Sequence, residues 1–301
     1  MLQSILCTKL SNKKGIMRHT VEKLSGFDDR RKEVIGIYLS GTGNTKHCVE
    51  KLVSLIDESA PCVPLEYPQI INIIEKQEVI VLGYPTQFSN APFMVCDFIK
   101  RNSSLWKGKK VFCVSTMGLF SGDGTGCTAR ILKKYGAEIL GGLQIKMPDS
   151  VCDSKLLKKG LEENRQIIKD ADKRIEETAE HILRGNYPRD GLSFIAHIKG
   201  LLGQRLWFYR KTTGYTDRLK ISNACIGCGL CSKECPMGNI RVDNRRAVPG
   251  NLCTMCYRCI SLCPQKAITL LGDRVVEQCR YEKYSRDILV VRNRRNYDFK
   301  R

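Results

Sequence analysis

Val34-Ile35-Gly36-Ile37-Tyr38-Leu39 is a short unbroken apolar run, as expected of a parallel strand buried on both faces. A polar stretch, Ser40–Thr45, follows, and then a pattern of helical period to about Leu55-Ile56. Residues 61–66 predict a second strand, Val79-Ile80-Val81-Leu82-Gly83 a third and Lys110–Ser115 a fourth, and Glu138–Met147 contains a fifth. Residues 91–101 and 124–135 read as helices, and 155–184 as one long amphipathic helix closed by Gly185 and Pro188. Strands alternating with helices at this spacing predict an α/β fold, an open sheet covered by helices on both faces.

Outside this region the pattern weakens. Residues 1–32 show no sustained period and read as a loosely ordered basic leader, with Met17 an alternative start. The α/β part takes 33–185. Residues 186–215 form a basic connector whose apolar positions from Gly191 to Arg210 (Leu192, Ile195, Ile198, Leu202, Leu206 and Trp207) fall at helical spacing. Residues 216–275 hold a dense cysteine block, and 276–301 a basic tail with one strand-like run, Ile288–Val291. A length of 301 residues fits two domains at roughly 100–200 residues each. No apolar run approaches the ~18 residues that span a bilayer, and the N-terminus lacks a secretory apolar region. A cytoplasmic protein is expected.

The net charge of +19 is unevenly spread. Residues 33–185 are nearly neutral at +1, whereas 1–32 and 186–224 carry +5 each and 225–275 and 276–301 carry +4 each. The basic residues follow no nucleic-acid-binding motif. The connector has the amphipathicity to lie on an anionic bilayer, although such segments more often pack between domains.

Eight of the sixteen cysteines fall between residues 225 and 263, and the other eight (Cys7, Cys48, Cys62, Cys96, Cys113, Cys127, Cys152, Cys279) stand singly. The scattered set reads as small buried hydrophobes. The block reads Cys225-x2-Cys228-x2-Cys231-x3-Cys235-Pro236 and then Cys253-x2-Cys256-x2-Cys259-x3-Cys263-Pro264. Three thiolates so close can wrap three corners of one cubane, and in this run the fourth cysteine binds the other cluster. Cys225, Cys228, Cys231 and Cys263 are therefore expected to hold one [4Fe-4S] cluster, and Cys235, Cys253, Cys256 and Cys259 the other. Zinc sites use well-separated Cys-x2-Cys pairs and need only four thiolates per ion, so they fit this spacing poorly. Residues 216–272 resemble a small α+β bacterial two-cluster ferredoxin domain.

After the first strand, Ser40-Gly41-Thr42-Gly43-Asn44-Thr45 opens a helix, where free N–H groups and the helix dipole attract an anion. The loop contains no positive charge, and it lacks the endings of a Walker or Rossmann loop. Read alone, it is equally a tight, well-capped turn. In this position it resembles the FMN phosphate loop of the flavodoxin family. That resemblance implies a five-stranded sheet of order 2-1-3-4-5 with FMN at the strands' carboxyl ends. It also implies two ring-holding loops. Tyr84, Pro85, Thr86 and Phe88 belong to the one after the third strand, and Thr116, Met117, Gly118 and Phe120 to the one after the fourth. Tyr84, Phe88 and Phe120 are all candidates to stack on the ring.

The order of the two parts is similar to flavodoxin–ferredoxin fusion proteins of anaerobic bacteria. The resemblance implies an electron relay between FMN and two clusters that serves redox partner proteins. With +13 over residues 186–301, an acidic docking face on the partner is expected. No nucleophile or acid–base pair is singled out: His19, His47, His181 and His197 are isolated in sequence. The alternative is a flavin-dependent reductase of a small organic substrate. It needs an enclosed pocket, and the short ring loops disfavour one.

Overall fold

The computed structural model describes residues 34–202 and 218–286, all within one compact unit. The expected leader, the connector residues 203–215 with Leu206 and Trp207, Cys7, His19, and the run Ile288–Val291 lie outside the described residues.

Five strands, β1 Val34–Tyr38, β2 Cys62–Pro64, β3 Val79–Pro85, β4 Lys110–Met117 and β5 Glu138–Lys146, form a parallel sheet of order β2-β1-β3-β4-β5. Strand alternation builds two core layers. Ile35, Ile37, Ile80, Leu82, Val111 and Cys113 face α2 (Ile70–Lys76), α3 (Phe93–Arg101) and α4 (Gly124–Lys134). Val81, Phe112, Val114, Leu143 and Ile145 face α1 (Asn44–Ile56) and α5 (Leu161–Leu183). Val49 of α1 seats against Gly36 and Gly83, where a Cβ would lie 2.9 and 2.2 Å from its methyls. This brings the N-terminus of α1 down onto the carboxyl ends of β1 and β3. The helix α2 was not apparent from the pattern of the sequence.

The long helix begins at Leu161 rather than near residue 155. Residues before it are irregular because Lys158 turns inward, its ammonium 3.3 Å from Asp149. Of the connector, only α6 (Phe194–Gly200) forms a regular helix within the described residues. His197 on it bonds Asp123 at 2.8 Å, while Phe194 and Ile195 remain 75% and 65% exposed rather than buried between two parts.

The cysteine-rich part is two short antiparallel sheets, β6 (Lys220–Ile221) with β9 (Ile268–Thr269) and β7 (Ile240–Asp243) with β8 (Arg246–Pro249). Asn244 and Arg245 at φ 46° and 59° make the two-residue turn of the second pair. Helices α7 (Leu230–Glu234) and α8 (Arg258–Leu262) start beside the third cysteine of each repeat.

The two parts are clasped together. Asp153, in the loop after β5, is buried, and its carboxylate accepts N–H bonds from Leu270, Leu271 and Gly272 at 2.6, 2.9 and 3.2 Å. Tyr257 donates its hydroxyl to the same carboxylate at 2.9 Å. Residues 276–286 correct the expectation of a tail: they return to the α/β part. Tyr281 N–H donates to the Thr42 carbonyl at 2.8 Å, its ring stacks on His47 at 4.2 Å, and Tyr284 is buried in the core beneath α1 and α5. Among the described residues, no helix is long and apolar enough to cross a membrane.

Candidate functional site

The carboxyl ends of β1, β3, β4 and β5 open into a cavity of about 200 Å³. Its floor is the Ser40–Thr45 loop. Gly43, at φ 94°, ends the turn and starts α1, whose first N–H groups have no partner within the helix. Ser40, Gly41, Thr42, Asn44 and Thr45 line the cavity; Gly43 lies beneath, against Tyr281. Thr42 Oγ1 pairs with Ser150 Oγ and Thr45 Oγ1 with Thr116 Oγ1, both at 2.8 Å. Asn44 donates its amide to the Pro148 carbonyl at 2.7 Å, while its buried Oδ1 has no hydrogen-bond partner. Such an orphaned acceptor fits a ligand that brings hydroxyl groups.

Of the ring-loop candidates, Pro85, Thr86, Phe88, Thr116, Met117, Gly118 and Phe120 line the same cavity. Tyr84 does not. It follows Ile80 and Leu82 in strand parity, is fully buried, and donates its hydroxyl to the Gly124 carbonyl at 3.0 Å beside Thr128. Phe88 is held at φ 48°, a left-handed conformation that a bulky residue adopts only when its surroundings impose it.

Sequence reasoning missed two walls. One is the segment Met147–Val151 after β5. Within it, burial pushes the Asp149 carboxyl above its ordinary range, opposed by the Lys158 ammonium. The other is Met255, Cys256 and Tyr257, contributed by the second cysteine repeat, with Leu271 beside them. The cavity is thus more enclosed than the short ring loops suggested. Gln87 donates its amide to the Thr254 carbonyl at 2.8 Å, and Arg258 donates to the Ser40 carbonyl at 2.8 Å while pairing with Glu66 at 2.5 Å.

The two repeats differ at matching positions. Gly227 and Gly229 in the first have φ of 68° and 76°; Met255 and Tyr257 in the second have 54° and 62°. Glycine takes this conformation freely, whereas another residue loses roughly 1–2 kcal/mol. The second repeat accepts that cost where its side chains meet the α/β part.

The eight block cysteines surround two separate cavities. Cys225, Cys228, Cys231 and Cys263 line one, and Cys235, Cys253, Cys256 and Cys259 the other. The fourth cysteine of each repeat therefore joins the three of the opposite repeat. Backbone N–H groups of Ala247, Ala267, Asn239 and Met255 donate to the sulfurs of Cys225, Cys263, Cys235 and Cys253 at 3.3–3.4 Å. Among the described residues, no three His, Cys, Asp or Glu side chains converge as ligands of one ion would. Each quartet is instead spread around its own void.

Residues 224–268 match the 4Fe-4S dicluster domain family. A 47-residue stretch is 53% identical to one component of an ion-translocating oxidoreductase complex from Methanosarcina acetivorans, covering 15% of this chain and 18% of that protein. A 75-residue stretch is 31% identical to an uncharacterised ferredoxin of Methanocaldococcus jannaschii, covering 23% and 48%. The chain thus spans less than half the length of these relatives. Among solved structures, flavodoxin 2 from Bacillus cereus aligns over 50% of this chain and 98% of its own at 18% identity and a TM-score of 0.38. The FMN-bound flavodoxin of Fusobacterium nucleatum aligns over 50% and 97% at 21% and 0.34. The strand order and the matched family together define the build: a flavodoxin-like α/β part followed by a 4Fe-4S dicluster region of ferredoxin type.

Proposed function

We propose that the chain is an internal electron relay between an FMN, held in the cavity over Ser40–Thr45, and two [4Fe-4S] clusters, and that it exchanges electrons with redox partner proteins in a reducing cytoplasm. One observation carries the reading: Cys256 and Tyr257 line both the cavity at the sheet's edge and the void surrounded by the second cysteine quartet. When bound, FMN supplies two-electron storage with one-electron exchange, and the clusters supply single-electron steps. The Ser40–Thr45 amides and hydroxyls bind the phosphate without Mg²⁺, and Asn44 Oδ1 accepts from a ligand hydroxyl. Met255–Tyr257 exclude water and hold the second quartet against the flavin site.

The first quartet is the outward end. Cys228 is exposed, Ile226 is 60% exposed, and the basic turn at Arg245 sits against Gly227. Arg241, Arg245, Arg246 and Lys266 are exposed there, with Asp243 as acidic company. This supports a partner with an acidic docking face, steered by charge.

The test is anaerobic protein assayed for about eight iron and eight sulfide with one FMN, followed by electron-transfer rates with acidic and basic carrier proteins. The acidic carrier is expected to react faster at low salt and to lose that advantage near 0.15 M, where charges are screened over about 8 Å. Stoichiometric zinc or absent flavin overturns the relay; equal rates with both carriers overturn only the acidic partner.

Thr42→Asp places a carboxylate against the phosphate site. FMN affinity is expected to fall roughly 10- to 100-fold, about 1.4–2.8 kcal/mol, with the fold retained. Fluorescence titration with FMN checks this, and unchanged affinity removes the loop from the site.

A further inference from the structure

We propose that Cys152 and Cys279 are a redox-active dithiol, oxidised by a hydroperoxide to a disulfide that locks residues 276–286 onto the wall of the sheet-edge cavity. Cys152 immediately follows the cavity-lining Ser150 and Val151, and its carbonyl accepts N–H bonds from Val276 and Glu277 at 2.9 and 3.0 Å. The C-terminal segment is thereby held against it, and the two thiols lie within hydrogen-bonding reach of each other. Lys158 Nζ is 2.8 Å from Cys279 Sγ and 3.3 Å from Asp149.

The two sulfurs are therefore unlike. The hydrogen bond from Cys152 and the Lys158 ammonium pull the Cys279 thiol down, whereas Cys152 is pushed up by that same hydrogen bond and by burial. One thiolate beside one thiol is the arrangement that forms a disulfide. Cys48 and Cys113 are equally buried, but burial pushes both thiols up, Cys113 to about 12; they are internal controls. Cys152 and Cys279 are 0% and 1% exposed, so the oxidant has to be nearly as small as water.

In the first step the Cys279 thiolate attacks the outer peroxide oxygen and the O–O bond breaks. With hydrogen peroxide, the oxidant small enough to enter, the leaving group is hydroxide, which takes a proton from solvent and departs as water. Cys152 sulfur then displaces hydroxide from the Cys279 sulfenic acid, and its own proton leaves with that hydroxide as water. Two electrons pass from the two sulfurs to the peroxide. Beyond Cys279, Tyr281 binds the Thr42 carbonyl, so the new bond fixes the strand of chain that touches the phosphate loop.

The experiment treats the full-length, cofactor-loaded protein anaerobically with one equivalent of hydrogen peroxide, alkylates it and maps the peptides. A dithiothreitol-reversible Cys152–Cys279 peptide is expected, with Cys48 and Cys113 still alkylated. Lys158→Met is expected to slow its formation about tenfold by lowering the thiolate fraction, and Lys158→Arg to preserve it. Cys152→Ser is expected to accumulate a Cys279 sulfenic acid, which dimedone added together with denaturant traps once the buried site opens. Absence of the linked peptide, equal rates in Lys158→Met, or untrapped Cys279 in Cys152→Ser overturns the proposal.

Discussion

Cys235→Ser is expected to empty the void lined by Cys253, Cys256 and Cys259 while leaving the quartet of Cys225, Cys228, Cys231 and Cys263 loaded. Iron and sulfide fall by about half, from eight to four per chain, and one cluster signal survives in the reduced spectrum. The reason is the path of the chain. Helix α7 begins at Leu230 and carries it from Cys231 to Cys235. Cys235 then lies with the second repeat's first three cysteines, its sulfur accepting the Asn239 N–H at 3.3 Å. Cys263→Ser produces the mirror result. Loss of the cluster nearest in sequence would instead assign each repeat its own four ligands.

Gly41→Ala is expected to prise the cysteine-rich part from the phosphate loop. A Cβ at residue 41 would lie 1.6 Å from the Cys256 carbonyl oxygen and 2.7 Å from its carbon. Both are backbone atoms and cannot rotate aside. Separation also breaks the Arg258 bonds to the Ser40 carbonyl at 2.8 and 3.3 Å. Denaturant unfolding is expected to show a loss of about 2–4 kcal/mol. Stopped-flow reduction through the flavin is expected to show markedly slower arrival of electrons at the clusters. Gly160→Ala is the control, since nothing lies within 4 Å of its Cβ position and its φ is −61°. Unchanged stability and transfer rate in Gly41→Ala would mean that the contact is dispensable.

The sheet was legible because the central strands are compact apolar runs and the helices other than the short α2 carry their own period. The cysteine spacing likewise set out which sulfurs gather, since crossing follows from local geometry. Tyr84 was misassigned although a signal was present: it shares parity with Ile80 and Leu82, and so points into the layer beneath α4. The walls at Met147–Val151 and Met255–Tyr257 come from the tertiary approach of segments about a hundred residues apart, which no periodicity records. A partial sign existed in the second repeat, where Met255 and Tyr257 replace the glycines of the first. Cys152 and Cys279 looked like unrelated hydrophobes for the same reason, as only the returning C-terminal segment brings them together.

That glycine replacement also bears on how freely the chain can vary. Its two cysteine repeats have identical spacing, yet they are not interchangeable parts. Around Gly227 and Gly229 the first loop faces outward, so a substitution at its exposed neighbour Ile226 is felt by the first quartet's void and by the outer surface, away from the sheet-edge cavity. Around Met255 and Tyr257 any substitution is felt at once by the cavity, by the sulfur quartet and by the Asp153 clasp. The constraints therefore differ in kind: a Cβ at Gly227 would lie 2.3 Å from the Arg245 carbonyl oxygen of the first repeat's own hairpin, whereas Met255 and Tyr257 answer to the α/β part, and a chimera that exchanges the two loops would carry the right ligands into the wrong surroundings.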